Sequence, residues 1–413
     1  MIEERTINGI LTFANEHEGD DVVRLLLQKE RYPDMDLRFA VQQIEGRRVA
    51  AEKWPGLAAH RSYLFPPKLN REQSSSEATA KLKGRIAERV MALQLCCNTS
   101  NGSVVRHLAD LTGGMGVDTL ALATSMDGAV EVDYVEMDAE LCSLMEYNCG
   151  ILGVKNIRVH QAESMHWLED RTEVYDLIYI DPARRDRKGR KVTAFEDCTP
   201  NFLEHLGLLC KHCRWLMVKA SPMTDIHAGL EELGGVVEVH VVAVKGECKE
   251  LLFVCGASEG EARIVCHNLW NGYDEAFAFS FSEEATASVS FAKAMDYIYE
   301  PNAAVMKAGA FRLVGEKWGV AKLSQNTHLY TGERLLEGFP GRQFRVLQAL
   351  KMCRKAMHEV LPEGKAHVMT RNYPISAEEL QKKLGLKEGG ELFVVATREG
   401  SWLCEKALNA RRE

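Results

Sequence analysis

Four acidic residues each stand at the end of a short run of strand-forming residues. They are Asp110 in LADLTGG, Glu136 in VDYVEMD, Glu163 in VHQAES and Asp181 in YDLIYIDPARR. These runs alternate with segments of helical length, and the alternation predicts a parallel sheet wound with helices. Because ligands bind at the carboxyl-end edge of an open α/β sheet, the four acids predict a ligand site there. Solvation alone would explain any one of these acids, but it explains four in succession poorly.

A glycine-rich turn follows the first acid. Gly113, Gly114 and Gly116 lie between Asp110 and a predicted helix, and glycine allows positive φ and a close approach of the backbone to a ligand. Glu136 follows Gly116 by twenty residues, where an acid can bind both hydroxyls of a ribose. The turn and this acid together indicate a nucleoside-containing ligand.

The ligand that suits this turn is a cation rather than a pyrophosphate. The glycine spacing departs from the G-x-G-x-x-G of dinucleotide-binding proteins, so a nicotinamide-dependent oxidoreductase is not favoured. A pyrophosphate also needs a helix N-terminus free of nearby anions, whereas Asp110 and Asp118 flank the turn. Acids in these positions suit the amino group and sulfonium of S-adenosylmethionine.

The motifs DLTGGMG, VEMD, QAE and YIDPAR, in this order, resemble those of class I S-adenosylmethionine-dependent methyltransferases. The resemblance covers about residues 80–256 and implies S-adenosylmethionine as the cofactor. It implies that Asp110 and the turn hold the methionine end, that Glu136 holds the ribose and that Glu163 lies near the adenine amino group. The turn residues implied in cofactor binding are Thr112, Gly113, Gly114 and Gly116. Thr112 stands where the family usually has its first glycine.

The same resemblance gives a role to the residues after the fourth strand. Methyltransferases that act on exocyclic amines carry Asp or Asn, then Pro-Pro and an aromatic residue, and the acid or amide and the proline carbonyl accept hydrogen bonds from the amine. Asp181 and Pro182 retain this part and are the expected catalytic residues, whereas Ala183 and Arg184 replace the second proline and the ring. A guanidinium can also stack on a base or pair with a phosphate. The motif therefore fits an amine-bearing base.

Basic residues are dense in the adjacent segment RRDRKGRK. In an acidic protein such a cluster is a local sign of a polyanionic substrate. The expected substrate-binding residues are Arg184, Arg185, Arg187 and Lys188. Two alternatives stay open, namely a solvated surface loop and a pairing of Arg185 with an acid at the sheet edge.

The 5-methyluridine enzymes carry Asp-Pro-Pro-Arg, which is similar to the Asp-Pro-Ala-Arg of this chain. Their covalent chemistry is not expected here. Those enzymes use a cysteine nucleophile just after the fifth strand, where this chain reads MVKASPMTD. Ser221 at this place is a poor nucleophile without an adjacent base. Lys219 in the same segment is either a substrate contact or a charge at the sheet edge.

Three regions are predicted along the 413 residues, which are more than one core usually supports. They are an N-terminal helical region (1–80), a class I methyltransferase domain (81–257) and a C-terminal α+β domain (258–413). The predicted fold class is α/β, with a seven-stranded Rossmann-like sheet. Only five residues separate VVEVHVVAV from ELLFVC, so these last two strands form an antiparallel hairpin.

The C-terminal region carries a second resemblance. YIYEPNAAVMKAGAF, NTHLYTGE and FPGRQF resemble the THUMP-like domain attached to a bacterial group of these methyltransferases. THUMP domains bind RNA, so the resemblance implies RNA as a partner.

Three serines precede a helical run in REQSSSEATAKLK. Ser74, Ser75 and Ser76 either cap the helix or offer hydroxyls to the methionine carboxylate. The sequence does not decide between these two roles.

Composition gives the cellular context. The net charge of −8 neither indicates nor excludes a nucleic-acid partner. No apolar run is long enough to cross a bilayer and no leader is evident at the N-terminus, so a cytoplasmic protein without a membrane partner is expected. Cys210 and Cys213 lack a second pair at metal-binding spacing, so no metal is expected.

The sequence thus predicts transfer of a methyl group from S-adenosylmethionine to an amine of a nucleic-acid base, in RNA before DNA. One alternative is a methyltransferase that acts on a protein or a small molecule. Another is a catalytically inactive module that binds RNA or a partner, although the intact acids at four strand ends speak against it. The sequence defines neither the methylated atom nor the oligomeric state.

Overall fold

The computed structural model describes residues 4–92, 105–126, 129–182, 195, 200–257 and 260–407. The chain divides into two compact units, Met1–Val237 with Leu251–Glu259 and Glu238–Glu250 with Gly260–Glu413. No helix in the described ranges is both long and apolar enough to cross a membrane.

The N-terminal region is helical, as predicted. Its helices are α1 (Glu4–Glu16), α2 (Val22–Leu26), α3 (Leu37–Lys53), α4 (Pro55–Ala58), α5 (Lys68–Gln73) and α6 (Glu77–Ala92). Asp36 caps α3 by accepting the backbone N–H of Phe39, and the apolar faces of α1 and α3 bury Phe13 against Ile44. Asn148 accepts the backbone N–H of Leu64 at 2.9 Å and donates to its carbonyl at 2.9 Å, which ties this region to the helix after the second strand.

Strands and helices alternate through the middle of the chain. The elements are β1 (Arg106–Asp110), α7 (Val117–Thr124), β2 (Val130–Glu136), α8 (Ala139–Leu152), β3 (Ile157–Gln161), α9 (Ser164–Glu169), β4 (Tyr175–Ile180), α10 (Leu206–His212), β5 (Cys213–Ala220), α11 (Ile226–Leu233), β6 (Val236–Val244), β7 (Glu247–Cys255), β8 (Arg263–Trp270) and β9 (Tyr273–Phe279). The strand order in the sheet is β3-β2-β1-β4-β5-β7-β6-β8-β9.

The first five strands of this order are parallel and β7 is antiparallel to β5. All six residues of β4 are buried, as expected for a central strand that is covered on both faces. Lys245 and Gly246 have positive φ and form the turn between β6 and β7, which makes the predicted hairpin. The α/β fold class is therefore confirmed.

The number of strands is a correction. The described sheet has nine strands rather than the predicted seven, because β8 pairs with β6 and β9 pairs with β8. Both runs lie in the part of the sequence expected to form the C-terminal domain. The alternation of apolar and polar residues identifies a strand, but it does not determine which strand pairs with it.

A second sheet follows, of mixed α and β type as predicted. Its elements and the helices around it are α12 (Phe281–Thr286), β10 (Tyr297–Pro301), α13 (Ala303–Ala308), α14 (Phe311–Trp318), β11 (Ala321–Lys322), β12 (Tyr330–Gly332), β13 (Gly341–Ala349), α15 (Arg354–Val360), β14 (His367–Thr370), α16 (Ala377–Leu384), β15 (Leu392–Ala396) and β16 (Ser401–Lys406). The strand order is β11-β12-β10-β13-β16-β15-β14, and only the β14–β15 pair is parallel among the described pairs.

The second unit also contains a chain of four ionisable side chains, here called the histidine chain. Glu238 lies 3.1 Å from Nε2 of His240, whose Nδ1 lies 3.0 Å from Nε2 of His267, and Nδ1 of His267 lies 3.0 Å from Asp274. Glu238, His240 and His267 are buried. The three contacts are all within hydrogen-bond distance, so the two rings link the carboxylates of Glu238 and Asp274.

Candidate active site

The carboxyl ends of β2, β1 and β4 are neighbours in the sheet, and each carries one of the predicted acids. Glu136 ends β2, Asp110 ends β1 and Asp181 follows β4 directly. Glu163 lies after β3 as the N-cap of α9, where it is exposed and accepts the backbone N–H of His166 at 2.8 Å. The structure thus brings three of the acids to adjacent strand ends and holds the fourth at the start of a helix.

The Glu136 carboxylate is fixed against the glycine turn. One oxygen accepts the backbone N–H of Gly114 and the other accepts the backbone N–H of Asp138, both at 2.9 Å. The hydroxyl of Tyr134, two residues earlier on β2, donates to the Gly114 carbonyl at 2.7 Å. A carboxylate has about four lone-pair positions, so Glu136 can still accept from two hydroxyls while it holds the turn.

The three glycines of the turn are required for different reasons. A Cβ at Gly113 would lie 2.3 Å from the Tyr134 ring, so the ring occupies that side of the turn. Gly116 has a φ of 80°, and a Cβ there would lie 2.5 Å from the Met145 sulfur. A Cβ at Gly114 would meet, among the described residues, only one backbone oxygen at 3.7 Å. The turn is therefore packed on its inner side at two positions and open at Gly114, where a ligand can approach.

Asp110 lies beneath the turn rather than on its open side. It is 1% exposed; one oxygen accepts the backbone N–H of Thr112 at 3.0 Å and the other accepts the Thr119 hydroxyl at 2.6 Å. Burial raises the pKa of the Asp110 carboxyl to about 7, against the effect of these hydrogen bonds. The geometry makes Asp110 an anchor that joins the turn to α7, and its contact with the methionine end stays a prediction.

Thr112, which replaces the family's usual first glycine, links two strand ends. Its hydroxyl oxygen accepts the backbone N–H of Asp181 at 2.7 Å and lies 3.4 Å from a carboxylate oxygen of Asp110. A glycine could not make this connection because it has no side chain. The departure from the usual motif therefore gives Asp181 a fixed backbone.

The Asp181 carboxylate forms an ion pair with Lys219 of β5. The ammonium lies 2.5 Å from one carboxylate oxygen, with the lysine side chain 5% exposed and the aspartate side chain 26% exposed. Pro182, the next residue, is buried. Of the two readings that the sequence leaves open for Lys219, this contact favours a charge at the sheet edge.

Behind this pair lies a second one that the sequence did not reveal. Lys83 of α6 is fully buried and its ammonium lies 3.0 Å from Asp118 of α7. Asp118 also accepts the hydroxyls of Ser75 at 2.7 Å and Tyr179 at 2.9 Å. Burial would raise the pKa of Asp118, but the positive charges of Lys83 and Lys219 hold it below its ordinary value. Lys83, Asp118, Lys219 and Asp181 are called the lysine–aspartate network below.

Close packing of two helices brings Lys83 to this place. A Cβ on Gly84 would lie 2.8 Å from the Ala121 carbonyl, so α6 and α7 approach closely there. The only signal in the sequence is that glycine inside a helical pattern, next to a lysine that reads as a solvent-facing residue.

One of the serines before α6 takes the capping role considered for them, and another takes a role that the sequence did not indicate. The Ser76 hydroxyl accepts the backbone N–H of Thr79 at 3.3 Å, which is a helix cap. Ser75 is buried and its hydroxyl contacts Lys83 and Asp118, both at 2.7 Å. Ser75 is therefore tied to the lysine–aspartate network.

The predicted substrate-binding residues Arg184, Arg185, Arg187 and Lys188 lie outside the described residues. Their assignment stays a prediction from sequence.

The hydrogen-bond acceptors of this edge fit the groups of S-adenosylmethionine. The Glu136 carboxylate suits a ribose diol, and the exposed Glu163 carboxylate suits an adenine amino group. The open side of Gly114 leaves room for a ligand against the turn. Acids near the turn favour a cation over a phosphate.

Comparison with known families assigns the C-terminal region. A ferredoxin-like domain family matches residues 297–340, and a THUMP domain-like family matches residues 341–406.

Comparison with known proteins covers nearly the whole chain. A crystal structure provisionally named as a methyltransferase of Porphyromonas gingivalis W83 is 30% identical and superposes with a TM-score of 0.82, over 99% of this chain and 100% of that one. An uncharacterized S-adenosylmethionine-dependent methyltransferase of Mycobacterium tuberculosis (strain ATCC 25618 / H37Rv) is 25% identical over 344 residues, which are 82% of this chain and 86% of that protein. A tRNA1(Val) (adenine(37)-N6)-methyltransferase of Cronobacter sakazakii is 30% identical over 83 residues, which are 20% of this chain and 34% of that protein.

The fold, the placement of the strand-end acids and these relatives agree. The chain belongs to the S-adenosylmethionine-dependent methyltransferases of class I that carry a THUMP-like C-terminal domain, and its cofactor is S-adenosylmethionine.

Proposed function

We propose that this enzyme methylates an amino group of a nucleic-acid base, in RNA before DNA, with Asp181 and Pro182 as the catalytic residues. When bound, S-adenosylmethionine supplies a methyl group whose bond to sulfur breaks as the amine lone pair forms the new nitrogen–carbon bond. The methylated amine then releases one proton to solvent. Turn residues Thr112 to Gly116, Glu136 and Glu163 would hold the cofactor.

The position and pairing of Asp181 carry this proposal. One oxygen of its carboxylate faces Lys219, so the carboxylate can accept a hydrogen bond from an amine through its remaining lone pairs. Pro182 offers a carbonyl in the next peptide unit. Two acceptors in succession can hold both N–H groups of an exocyclic amine and direct its lone pair away from them.

The charge of the Asp181–Lys219 pair also supports a base as the acceptor. The pair is neutral as a unit, which suits an uncharged amino group. A lysine ammonium of a protein substrate would gain more from an unpaired carboxylate. An exocyclic amine of adenine, guanine or cytosine is neutral and meets the requirement.

Three further observations support RNA. A part of the chain resembles a protein named for methylation of an adenine in a tRNA. The C-terminal residues match a THUMP domain-like family. The segment RRDRKGRK after the Asp181–Pro182 motif is dense in cations, and cations near a methyl-acceptor site suit a phosphate backbone.

Catalysis in this site would rest on positioning. The fixed Asp181 backbone and carboxylate would hold the acceptor at a set distance from the activated methyl group, and orientation of this kind can supply roughly 7–11 kcal/mol of a barrier. No strong base is required, because an amine becomes acidic as its nitrogen is methylated.

The test has two stages. First, calorimetric titration with S-adenosylhomocysteine should give binding of about −8 kcal/mol, corresponding to micromolar affinity. We expect Glu136→Ala to abolish this binding and Asp181→Ala to retain most of it. Absence of binding to the wild type would overturn the assignment of this edge as the cofactor site.

Second, tritiated S-adenosylmethionine should label an acceptor in total RNA from a strain that lacks the gene. We expect label that ribonuclease removes, in a nucleoside that mass spectrometry identifies as methylated on an amine. Asp181→Ala should lose most of the label, while Asp181→Asn, which keeps an acceptor oxygen, should lose less. Label confined to protein or to small molecules would contradict the proposal.

A further inference from the structure

The Asp181 side chain needs restraint if it is to orient an acceptor. It stands just after the end of β4 and is 26% exposed, so neither a strand ladder nor full packing fixes its rotamer. Its backbone N–H is held by Thr112, but this bond leaves the torsions of the side chain free. The contact that constrains the carboxylate itself is the ion pair with Lys219.

Lys219 is unusually well suited to impose this restraint. It lies on β5, next to β4, and is 5% exposed. A buried ammonium is costly unless it is paired, so the lysine cannot leave the carboxylate without a large free-energy penalty. A charged pair at 2.5 Å therefore fixes one oxygen of Asp181 and determines where the other oxygen points.

The inner pair of the network lies within electrostatic range of Lys219. The charge of Lys219 acts on Asp118 together with that of Lys83, so positive and negative groups alternate from α6 to the sheet edge. Asp118 is in turn fixed by the hydroxyls of Ser75 and Tyr179. Such an arrangement resists any displacement of a single member, because each charge would be left without its neighbour.

We propose that Lys219 is a positioning residue for methyl transfer, which acts by orienting the Asp181 carboxylate toward the acceptor. This proposal rests on the proposed function of Asp181. A lysine that served only as buried structure would affect folding and cofactor binding together. A positioning lysine affects turnover while folding and cofactor binding are kept.

The decisive variants are Lys219→Met and Lys219→Arg. Methionine keeps much of the aliphatic volume but not the charge, whereas arginine keeps a charge and donors. We expect Lys219→Met to lower kcat about a hundredfold, a typical cost of misplaced groups, with apparent KM for RNA and affinity for S-adenosylhomocysteine changed by less than about threefold. The kcat of Lys219→Arg should be at least about tenfold higher than that of Lys219→Met. Lys211→Met, at an exposed lysine of the same unit, is the control and should behave as wild type.

A double-mutant cycle protects the test against misfolding. Asp181→Asn/Lys219→Met replaces the ion pair by two neutral side chains, which buried sites often tolerate. If Lys219 acts through Asp181, the substitution Lys219→Met should have little further effect on kcat in the Asp181→Asn background. The proposal would be overturned if each substitution lowered kcat by the same factor in both backgrounds. A normal kcat in Lys219→Met would also overturn it.

The assay measures the ratio of kcat in the variant to kcat in the wild type. Its substrate is the cellular fraction that the wild type labels. If that fraction is protein rather than RNA, the proposed function fails, yet the ratio still decides whether Lys219 positions Asp181. A parallel fall of kcat and of affinity for S-adenosylhomocysteine in Lys219→Met would assign Lys219 a structural role and overturn the positioning proposal.

Discussion

The lysine–aspartate network and the histidine chain satisfy the same physical rule in different ways. Each contains buried ionisable groups, and each pairs every one of its four members with an oppositely charged or hydrogen-bonding neighbour. Each also ends on an aspartate whose side chain is partly exposed. The exposed fraction is 26% for Asp181 and 25% for Asp274. Burial of charge therefore does not by itself separate a functional site from a structural one.

The difference lies in where the members come from and in what carries the charge. The network draws its charged residues from α6, α7, β5 and the end of β4, and it reaches the sheet edge beside the glycine turn. The histidine chain draws on β6, β8 and β9. Lysine and aspartate are ordinarily ionised near neutral pH, whereas an imidazole is charged only after it takes a second proton. The position of the network beside the strand-end acids and the glycine turn therefore favours a functional role for it.

The largest expected effect comes from breaking the network at its buried end. Lys83→Met leaves Asp118 without its ammonium partner, so we expect the free energy of unfolding to fall by about 3–5 kcal/mol. Urea denaturation of the full chain measures this loss. Lys81→Met, at a neighbouring lysine that is 66% exposed, is the matched control and should cost less than about 0.5 kcal/mol.

The double variant Lys83→Met/Asp118→Asn sharpens this result. It removes both charges of the inner pair, so it should be more stable than Lys83→Met alone. If the double variant were the less stable of the two, the loss in Lys83→Met would come from packing and not from an unpaired charge.

The histidine chain should respond in stability but not in cofactor binding. His267→Gln removes one ring between His240 and Asp274, and leaving buried polar groups without partners should cost about 2–3 kcal/mol of the free energy of unfolding. The histidine chain contributes no residue to the glycine turn, so affinity for S-adenosylhomocysteine should stay unchanged. A weakened affinity in His267→Gln, measured at a temperature where the variant is folded, would break the contrast between the two clusters.

The sequence alone predicts the parallel sheet and the strand ends that carry the acids, because both follow from the alternation of strands and helices. The carboxyl ends of parallel strands meet at one edge whatever the side chains do, so Asp110, Glu136 and Asp181 could be placed from the order of the elements. The hairpin of β6 and β7 followed from the length of its turn.

The rest depends on packing that a single sequence does not encode locally. Lys83 could not be foreseen, because a lysine in a helical run is nearly always on the solvent face. Its burial follows from the close approach of two helices at Gly84. The two added strands β8 and β9 were missed because a pattern of alternating burial fits either sheet.

The pH dependence of stability distinguishes the acid beneath the turn from the paired acids. Burial raises the pKa of Asp110 to about 7, so between about pH 4 and about pH 7 the folded protein holds a proton that the unfolded chain releases. The contribution of this group to stability is therefore full below about pH 4 and is lost as the pH rises through about 7. Asp110→Asn imitates the protonated acid and has no such loss.

The expected difference is measurable. Relative to Asp110→Asn, the wild type should lose about 2 kcal/mol of unfolding free energy between about pH 5.5 and about pH 7.5. Denaturation of both proteins across this range gives the value. Parallel pH profiles would show that Asp110 does not titrate in this window.

The smallest expected effect tests the link between the turn and the acceptor side. Thr112→Val keeps the shape of the side chain but cannot accept the backbone N–H of Asp181, so stability should fall by about 1 kcal/mol. Since Asp181 then loses its backbone restraint and keeps only the ion pair of its side chain, kcat should fall several-fold while affinity for S-adenosylhomocysteine changes little. Thr112→Ser retains the hydroxyl and should keep a near-normal kcat. Equal kcat values in the two variants would mean that the ion pair with Lys219 positions Asp181 without help from Thr112, which would place the whole restraint within the lysine–aspartate network.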